Sequence, residues 1–472
     1  MRINGVFIII NMSEAYNKFI TDSEIKAFDK SHRSTVAFNI SRYDAAVVKG
    51  KEQYSNLDLA KQRAAHIKNK VIIDLPKYLV DFEASFQSHG GKVIWAQDAA
   101  EVVSEILKIA KKHRAKFIVK SKTMVTEEIE LNDHLEKAGI ESLETDLGEY
   151  IVQIAGEKPY HIVTPAMHKS KEEVAQLFNE KFGLSADSTP EQITAFVRGL
   201  LREKFYNADI GITGANFLVA DIGAVCLTEN EGNAMMSMSF PKVHIVVAGI
   251  EKLIPKLRDL DLFWPLLATH GTGQNITVYN SIVTGPRKDG ENDGPEEMYV
   301  VLLDNNRTEI LAHKNQRRAL ACIRCGACLN VCPVYKSIGG HTYGVTYSGP
   351  IGSVITPWLS GMKDYKHLGF ASSLCGSCTE VCPVKINLHE LLLYNRNDSV
   401  KEGYASRFDK TLMFGFKTAM RNRKYIDMLS GKNKNKLLRK FFAASWGPRR
   451  ILPEIAPKSF KELWDEQRNV KK

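Results

Sequence analysis

No run within the 472 residues approaches the ~18 consecutive apolar positions that a membrane-spanning helix needs. The apolar stretch Gly5–Ile10 near the start is too short for a secretory core and lacks a small-residue cleavage site. Met12 offers a second candidate start, which would make the first eleven residues an upstream extension. No GxGxxG pattern follows a strand-like segment, and no flavin motif is recognisable, so the chain carries no hydride acceptor of its own. Nothing resembles a nucleic-acid-binding module, and no nucleic-acid partner is expected. Cysteine is scarce, with eight residues. Without a secretion signal those thiols point to a reducing compartment, the cytoplasm.

What is present is ordinary for a globular protein: 44% hydrophobic and 25% charged residues, with length for two or three domains. The net charge of +10 is unevenly spread. Residues 401–472 hold nineteen Lys/Arg and seven Asp/Glu, leaving the other 400 residues near −2. Phe414, Phe416, Tyr425, Phe441, Phe442, Trp446 and Trp464 interleave the basic residues. Such a tail suits an anionic membrane surface or an acidic partner. A solvated helical face is the plainer alternative.

Seven of the eight cysteines fall in two clusters. Cys322-x2-Cys325-x2-Cys328-x3-Cys332-Pro333 is a complete iron–sulfur run. Cys375-x2-Cys378-x3-Cys382-Pro383 repeats it with Ser372 at the first position. Two-residue steps let successive thiolates reach corners of one small cluster, while the fourth cysteine points away. In two-cluster ferredoxins that fourth cysteine ligates the other cluster. Cys322, Cys325, Cys328 and Cys382 are therefore expected to hold cluster one, a 4Fe-4S centre. Cys332, Cys375 and Cys378 are expected to hold cluster two, either 3Fe-4S or a 4Fe-4S centre whose last iron takes Ser372, water or a partner's group. Disulfides do not suit the compartment, and zinc ribbons do not use a third cysteine at x2 and a fourth before proline. Cys226, in Ala224–Leu227, reads as a small buried residue.

The rest of the chain divides by pattern. Residues 1–70 read as a helical N-terminal arm and 71–304 as an α/β domain. Residues 305–400 read as a mainly helical dicluster iron–sulfur domain and 401–472 as the basic tail. Strands are expected at Lys92–Trp95, Lys116–Val119, Tyr160–Val163, Val243–Val247 and Met298–Leu303. Asp98 is an expected helix N-cap, and Glu127–Ala138 is expected to be one helix ending at Gly139. The alternation of strand and helix argues for a parallel sheet. Thr269–Gln274 reads as a glycine-rich loop, a tight turn or an anion cradle. Glu229–Gly232 reads as an acidic loop after a strand, with a nucleophilic glutamate as the sharper alternative. His341, Tyr343 and Tyr347 lie in a glycine-rich stretch between the motifs, where packing is the default role and cluster tuning the other.

Several segments carry a family resemblance. Ser121–Glu128, Gly211–Asn216 continuing to Ala220–Gly223, Ser239–Ile245, and Gly339–Gly344 through Tyr347–Gly352 all match. With the seven-cysteine pattern and the basic tail, the chain resembles the lactate utilisation B family over nearly its whole length.

That resemblance implies an α/β domain similar to sugar-phosphate isomerases and CoA transferases, followed by a helical dicluster ferredoxin domain. It implies an iron–sulfur electron-transfer subunit of an L-lactate-oxidising complex that forms pyruvate with lactate utilisation proteins A and C. The site would be cytoplasmic, with peripheral contact at the inner face of the membrane. Two alternatives stand beside it. The α/β domain is itself a catalytic or substrate-binding unit for lactate or an acyl-CoA, or the protein is an iron–sulfur sensor.

Overall fold

The computed structural model describes residues 2–3, 6–7, 13–446 and 450–470. The expectations for Gly5–Ile10 and Met12 lie largely outside the described residues. The chain divides into two compact units, residues 14–397 and a second made of 1–13 with 398–472. In the second unit, Arg2–Ile3 (β1) pairs antiparallel with Val6–Phe7 (β2).

The larger unit is built on a six-stranded sheet. Its strands are Lys92–Ala96 (β3), Phe117–Lys120 (β4), Glu141–Glu144 (β5), Ile210–Thr213 (β6), Val243–Gly249 (β9) and Glu297–Leu303 (β12). The spatial order is β3-β12-β9-β6-β4-β5, and every pairing is parallel. A second, four-stranded sheet combines Phe217–Val219 (β7), Ala224–Glu229 (β8), Leu253–Ile254 (β10) and Tyr279–Val283 (β11) in the order β10-β7-β8-β11.

Parallel strands need both faces covered, so their residues read as continuous apolar runs. The central strand β9 is buried along all its length. Its Ile245 and Val247 face Val102, Ile106, Leu131 and Leu135 in one core. Val246 and Ala248 face Leu75, Leu79, Phe82 and Phe86 in the other. The period of two in a strand is what splits neighbours between the two cores. A third cluster joins Tyr150, Phe178, Val197, Leu201 and Phe205 to Val119, covering the other end of the sheet. Asp98 caps helix Ala99–Lys112, accepting a bond from Glu101 N at 2.9 Å. Cys226 is buried in β8, where burial pushes its thiol up to about 12.

Three expected elements differ. Glu127–Ala138 is two helices, Met124–Glu128 and Leu131–Lys137. Glu130 adopts a left-handed conformation (φ 51°) between them, and this break leaves Glu128 in a buried ion pair. Tyr160–Val163 forms no strand. Val163 N and Thr164 N both donate to His161 Nδ1, at 3.1 and 3.2 Å, and curl the backbone instead. Thr269–Thr272 ends helix Leu260–Thr272, and Gly273 (φ 80°) closes it, so these amides are spent within the helix and its cap.

Helices Glu14–Phe28, Lys30–Gly50 and Leu57–Ile73 pack on both halves of this unit. Asn39 Nδ2 donates to Met167 O at 2.9 Å, and Lys61 Nζ donates to Glu380 O at 2.6 Å. Between Cys332 and Cys375 lie helices Pro333–Ile338, Gly349–Leu359 and Met362–Tyr365, the inter-motif helices that so long a connection requires.

Candidate iron–sulfur centre

The two cysteine motifs share one backbone path. In the first, Arg324 is left-handed (φ 61°), and its N–H donates to Cys322 Sγ at 3.4 Å. In the second, Leu374 is left-handed (φ 57°), and its N–H donates to Ser372 Oγ at 3.1 Å. Gly326 (φ 77°) and Gly376 (φ 86°) follow the next cysteine in each, where a left-handed turn favours glycine. Short helices Ala327–Asn330 and Ser377–Val381 come next. Ser372 thus stands at the position that Cys322 occupies in the first motif.

Folding brings the thiols into two groups that cross the motifs. Cys322, Cys325, Cys328 and Cys382 line one cavity, walled by Ile162, Ile323, Ile351, Val384 and Ile386. Cys332 and Cys375 are the thiols that bear on Cys378. Burial pushes Cys382 up to about 11, and burial with the charge of Cys322 and Cys325 holds Cys328 well above the usual thiol range. Burial, then Cys332 and Cys375, pushes Cys378 up to about 11. Cys375 is exposed, and hydrogen bonds from Ser377 and the backbone lower it.

The residues fit iron–sulfur clusters. Buried sulfurs this close disfavour thiolate unless a positive centre sits among them, which iron supplies. Backbone N–H groups already point at sulfur, including Ile386 N to Cys382 Sγ at 3.4 Å. Such bonds tune cluster potential.

A buried ion network lies beside the first thiol group. Arg307 Nε donates to Glu251 Oε2 at 2.7 Å, and its Nη2 donates to Glu128 Oε2 at 2.7 Å. Tyr347 Oη donates to Glu128 at 2.6 Å. Arg324 Nη2 lies 3.3 Å from Glu251 Oε1, with its guanidinium 4.5 Å from the Tyr347 ring centre. Burial alone would raise Glu251, but Arg307 and Arg324 overcome it and hold the carboxyl at about 2. Lys68 donates to Glu251 O and Leu253 O at 2.7 and 3.0 Å, and burial drops its ammonium to about 7. Burial and the Arg324 charge take Lys252 to about 8. Of these residues Tyr347 lay in the glycine-rich stretch singled out in the chain, Glu128 ended a segment that carries the family resemblance, and Arg324 stood out as a charge inside a cysteine motif.

The other singled-out residues fall elsewhere. His341 Nε2 bonds Lys158 O at 2.6 Å, and its ring meets Tyr160 and His168. Tyr343 is buried against Phe19 and Tyr335. Glu229 accepts from Ala234 N and Met235 N, both at 2.8 Å, anchoring the start of helix Asn233–Ser239.

This arrangement defines a LUD domain with a parallel-sheet α/β core, followed by a 4Fe-4S dicluster domain. The LUD domain family matches residues 79–303, and the 4Fe-4S dicluster domain family matches residues 318–386. Lactate utilization protein B of Bacillus pumilus (strain SAFR-032) is 48% identical over 364 residues, 77% of this chain and 76% of that protein. Lactate utilization protein B of Bacillus cereus (strain AH820) is 45% identical over 386 residues, 82% of this chain and 81% of that protein. The chain belongs to the lactate utilization protein B family. A crystal structure of a duf162 family protein from Deinococcus radiodurans aligns with 48% of this chain and 98% of its own, at 14% identity and a TM-score of 0.28.

Proposed function

We propose that this chain is the iron–sulfur electron-transfer subunit of a complex that oxidises L-lactate to pyruvate, working with lactate utilisation proteins A and C. The observation that carries this reading is the crossing of the two motifs into a four-thiol group and a three-thiol group. Family membership supplies the substrate. When bound, the clusters supply one-electron transfer.

Cys322, Cys325, Cys328 and Cys382 would hold cluster one as 4Fe-4S. Cys332, Cys375 and Cys378 would hold cluster two, with Ser372 at its open corner. Ile162, Ile351 and Val384 exclude water from the first group. Arg324 and Lys252 set positive charge against its sulfurs. The exposed Cys375 marks the edge where a partner reaches the second group. Thiols that must stay reduced favour the cytoplasm.

The tail is proposed to hold the protein at an anionic membrane surface. No helix among the described residues is long and apolar enough to cross a membrane. Helix Arg407–Arg421 nevertheless exposes Met413, Phe414, Phe416 and Met420. Helix Gly431–Trp446 exposes Phe441 and Trp446 amid Lys432, Lys434, Lys436, Arg439 and Lys440. Basic helices with exposed aromatics lie in the membrane interface.

Cys382→Ala tests the core of this reading. Anaerobically reconstituted wild type should bind about seven to eight irons, following the ligand census of two clusters. Electron paramagnetic resonance of the variant should show cluster one lost or converted and the three-thiolate centre retained. Loss of the second centre instead would mean that each motif binds its own cluster. Two zincs per chain in place of iron would end the electron-carrier reading.

A further inference from the structure

The larger unit holds a cavity of about 400 Å³ that adjoins the four-thiol pocket and shares Ile162 and Cys325 with it. It opens at the carboxyl ends of β4 and β6, lined by Lys122 and Thr123 after one strand and Gly214 and Asn216 after the other. The order in which the chain fills the sheet reverses between these two parallel strands, since β4 leads outward to β5 while β6 leads inward to β9. In open α/β sheets this switch point is where ligands bind. The strand-end loops meet closely there: a Cβ on Gly214 would stand 2.6 Å from Thr123 Oγ1. The opposite wall belongs to the iron–sulfur segment and includes Arg324, Cys325 and Tyr347. Its volume falls in the ~300–1,000 Å³ range of small-molecule sites.

The cavity is lined by three cations, Lys122, Lys252 and Arg324, and three acids, Asp146, Glu229 and Glu231, but two of the cations lack full partners. Lys252 Nζ has no ion pair or hydrogen bond among the described residues, although the residue lines the cavity. Arg324 Nη1 is buried without a partner. Glu251 gives Oε2 to Arg307 at 2.7 Å and leaves Arg324 a longer 3.3 Å contact. The acids lining the cavity are engaged by backbone. Asp146 caps Glu149 N at 3.0 Å, Glu229 takes Ala234 N and Met235 N, and Glu231 takes Leu147 N at 3.1 Å. A buried donor left unmade costs about 1–3 kcal/mol. A ligand carboxylate between Lys252 and Arg324 removes that cost.

We propose that this cavity binds a small organic acid, its carboxylate held by Lys252 and Arg324 beside Cys325. The acid class is a 2-hydroxy or 2-oxo monocarboxylate, a choice that rests on the lactate-oxidation reading. The consequence is a substrate or product site within the LUD domain itself, against the thiol group assigned to cluster one.

Isothermal titration calorimetry of the anaerobic, full-length holoprotein with L-lactate, pyruvate and inorganic phosphate tests it. One of the two acids should bind saturably at about one per chain. Lys252→Gln should weaken that binding on the order of 10- to 100-fold, the loss of one charge-assisted bond. Leu267→Trp, which fills the cavity from its wall, should abolish binding while the visible absorption of the clusters persists. Phosphate binding as tight as the acids would overturn the carboxylate assignment. Saturable binding of neither acid, or binding unchanged in both variants, would overturn the site. A shift in cluster potential in Lys252→Gln without acid binding to wild type would show that the cations only balance sulfur charge, which also overturns it. Reduction of the holoprotein by lactate through proteins A and C, measured alongside, separates the outcomes. A reducible protein that binds no acid retains the carrier reading and loses this one. Acid binding without reduction does the reverse.

Discussion

Arg307→Met is the perturbation with the largest structural consequence outside the thiols. Arg307 is 1% exposed and holds two buried carboxylates, Glu251 at 2.7 Å and Glu128 at 2.7 and 3.0 Å. Methionine fills much of the volume but leaves Glu251 only its 3.3 Å contact with Arg324 and Glu128 only the neutral donors Tyr347 and Asn305. Breaking a buried pair by removing one partner costs about 3–5 kcal/mol. Linkage gives a second route to the magnitude. A carboxyl at about 2, where 4.5 is ordinary, corresponds to about 3 kcal/mol at neutral pH, an upper bound for Arg307 because Arg324 and Lys252 share in it. Because the folded value is depressed, this stability is present above about pH 4.5 and is lost as pH falls toward 2. The variant should therefore be destabilised most at neutral pH, and less as acid protonates the orphaned carboxylates. Glu128→Gln added to Arg307→Met should recover part of the loss, since it removes one uncompensated charge. Urea unfolding of the holoprotein under argon, followed by circular dichroism at pH 7 and pH 5, measures all three. A loss below about 1 kcal/mol at pH 7 would refute the reasoning.

Two further outcomes follow from the same geometry. Ser372→Cys should complete the second motif, because Ser372 Oγ takes the Leu374 N–H as Cys322 Sγ takes that of Arg324; paramagnetic resonance should then show a four-thiolate signal in place of the three-thiolate one, and an unchanged spectrum would place the open corner elsewhere. Truncation at Lys401 should leave the iron content intact, since all seven cysteines precede it. It should also weaken flotation with anionic vesicles in a salt-dependent way, each basic residue near the surface being worth about 1 kcal/mol; flotation equal to the full chain at low salt would make the tail a solvated surface, and loss of binding only to proteins A and C would make it a docking segment.

Much of the molecule was legible in the chain because its signals are local. Cysteine spacing within each motif is covalent, so its chemistry shows without a fold. The strands β4, β9 and β12 announce themselves as apolar runs, since a parallel sheet buries both faces, and the edge strand β3 by its apolar Val93–Trp95. Asp98 caps the expected helix because capping needs only the next three residues. The failures are places where a distant partner overrides local pattern. The single helix expected over Glu127–Ala138 breaks so that Glu128 can meet Arg307, 179 positions away. Tyr160–Val163 looks like a strand by composition, yet its Ile162 walls the four-thiol cavity and its backbone curls around His161.

By itself, then, the sequence determined the spacing of the cysteines, the alternation of strands and helices, and the concentration of positive charge after residue 401, because each depends on residues close together in the chain. Only the tertiary structure decided which charges share a buried site. Lys68, Glu128, Glu251, Lys252, Arg307 and Arg324 come from five separate stretches, and only Arg324, inside a cysteine motif, stands out in its own neighbourhood. Their perturbed ionisation arises from desolvation and from each other's fields, and both exist only once the LUD domain and the iron–sulfur segment are packed together.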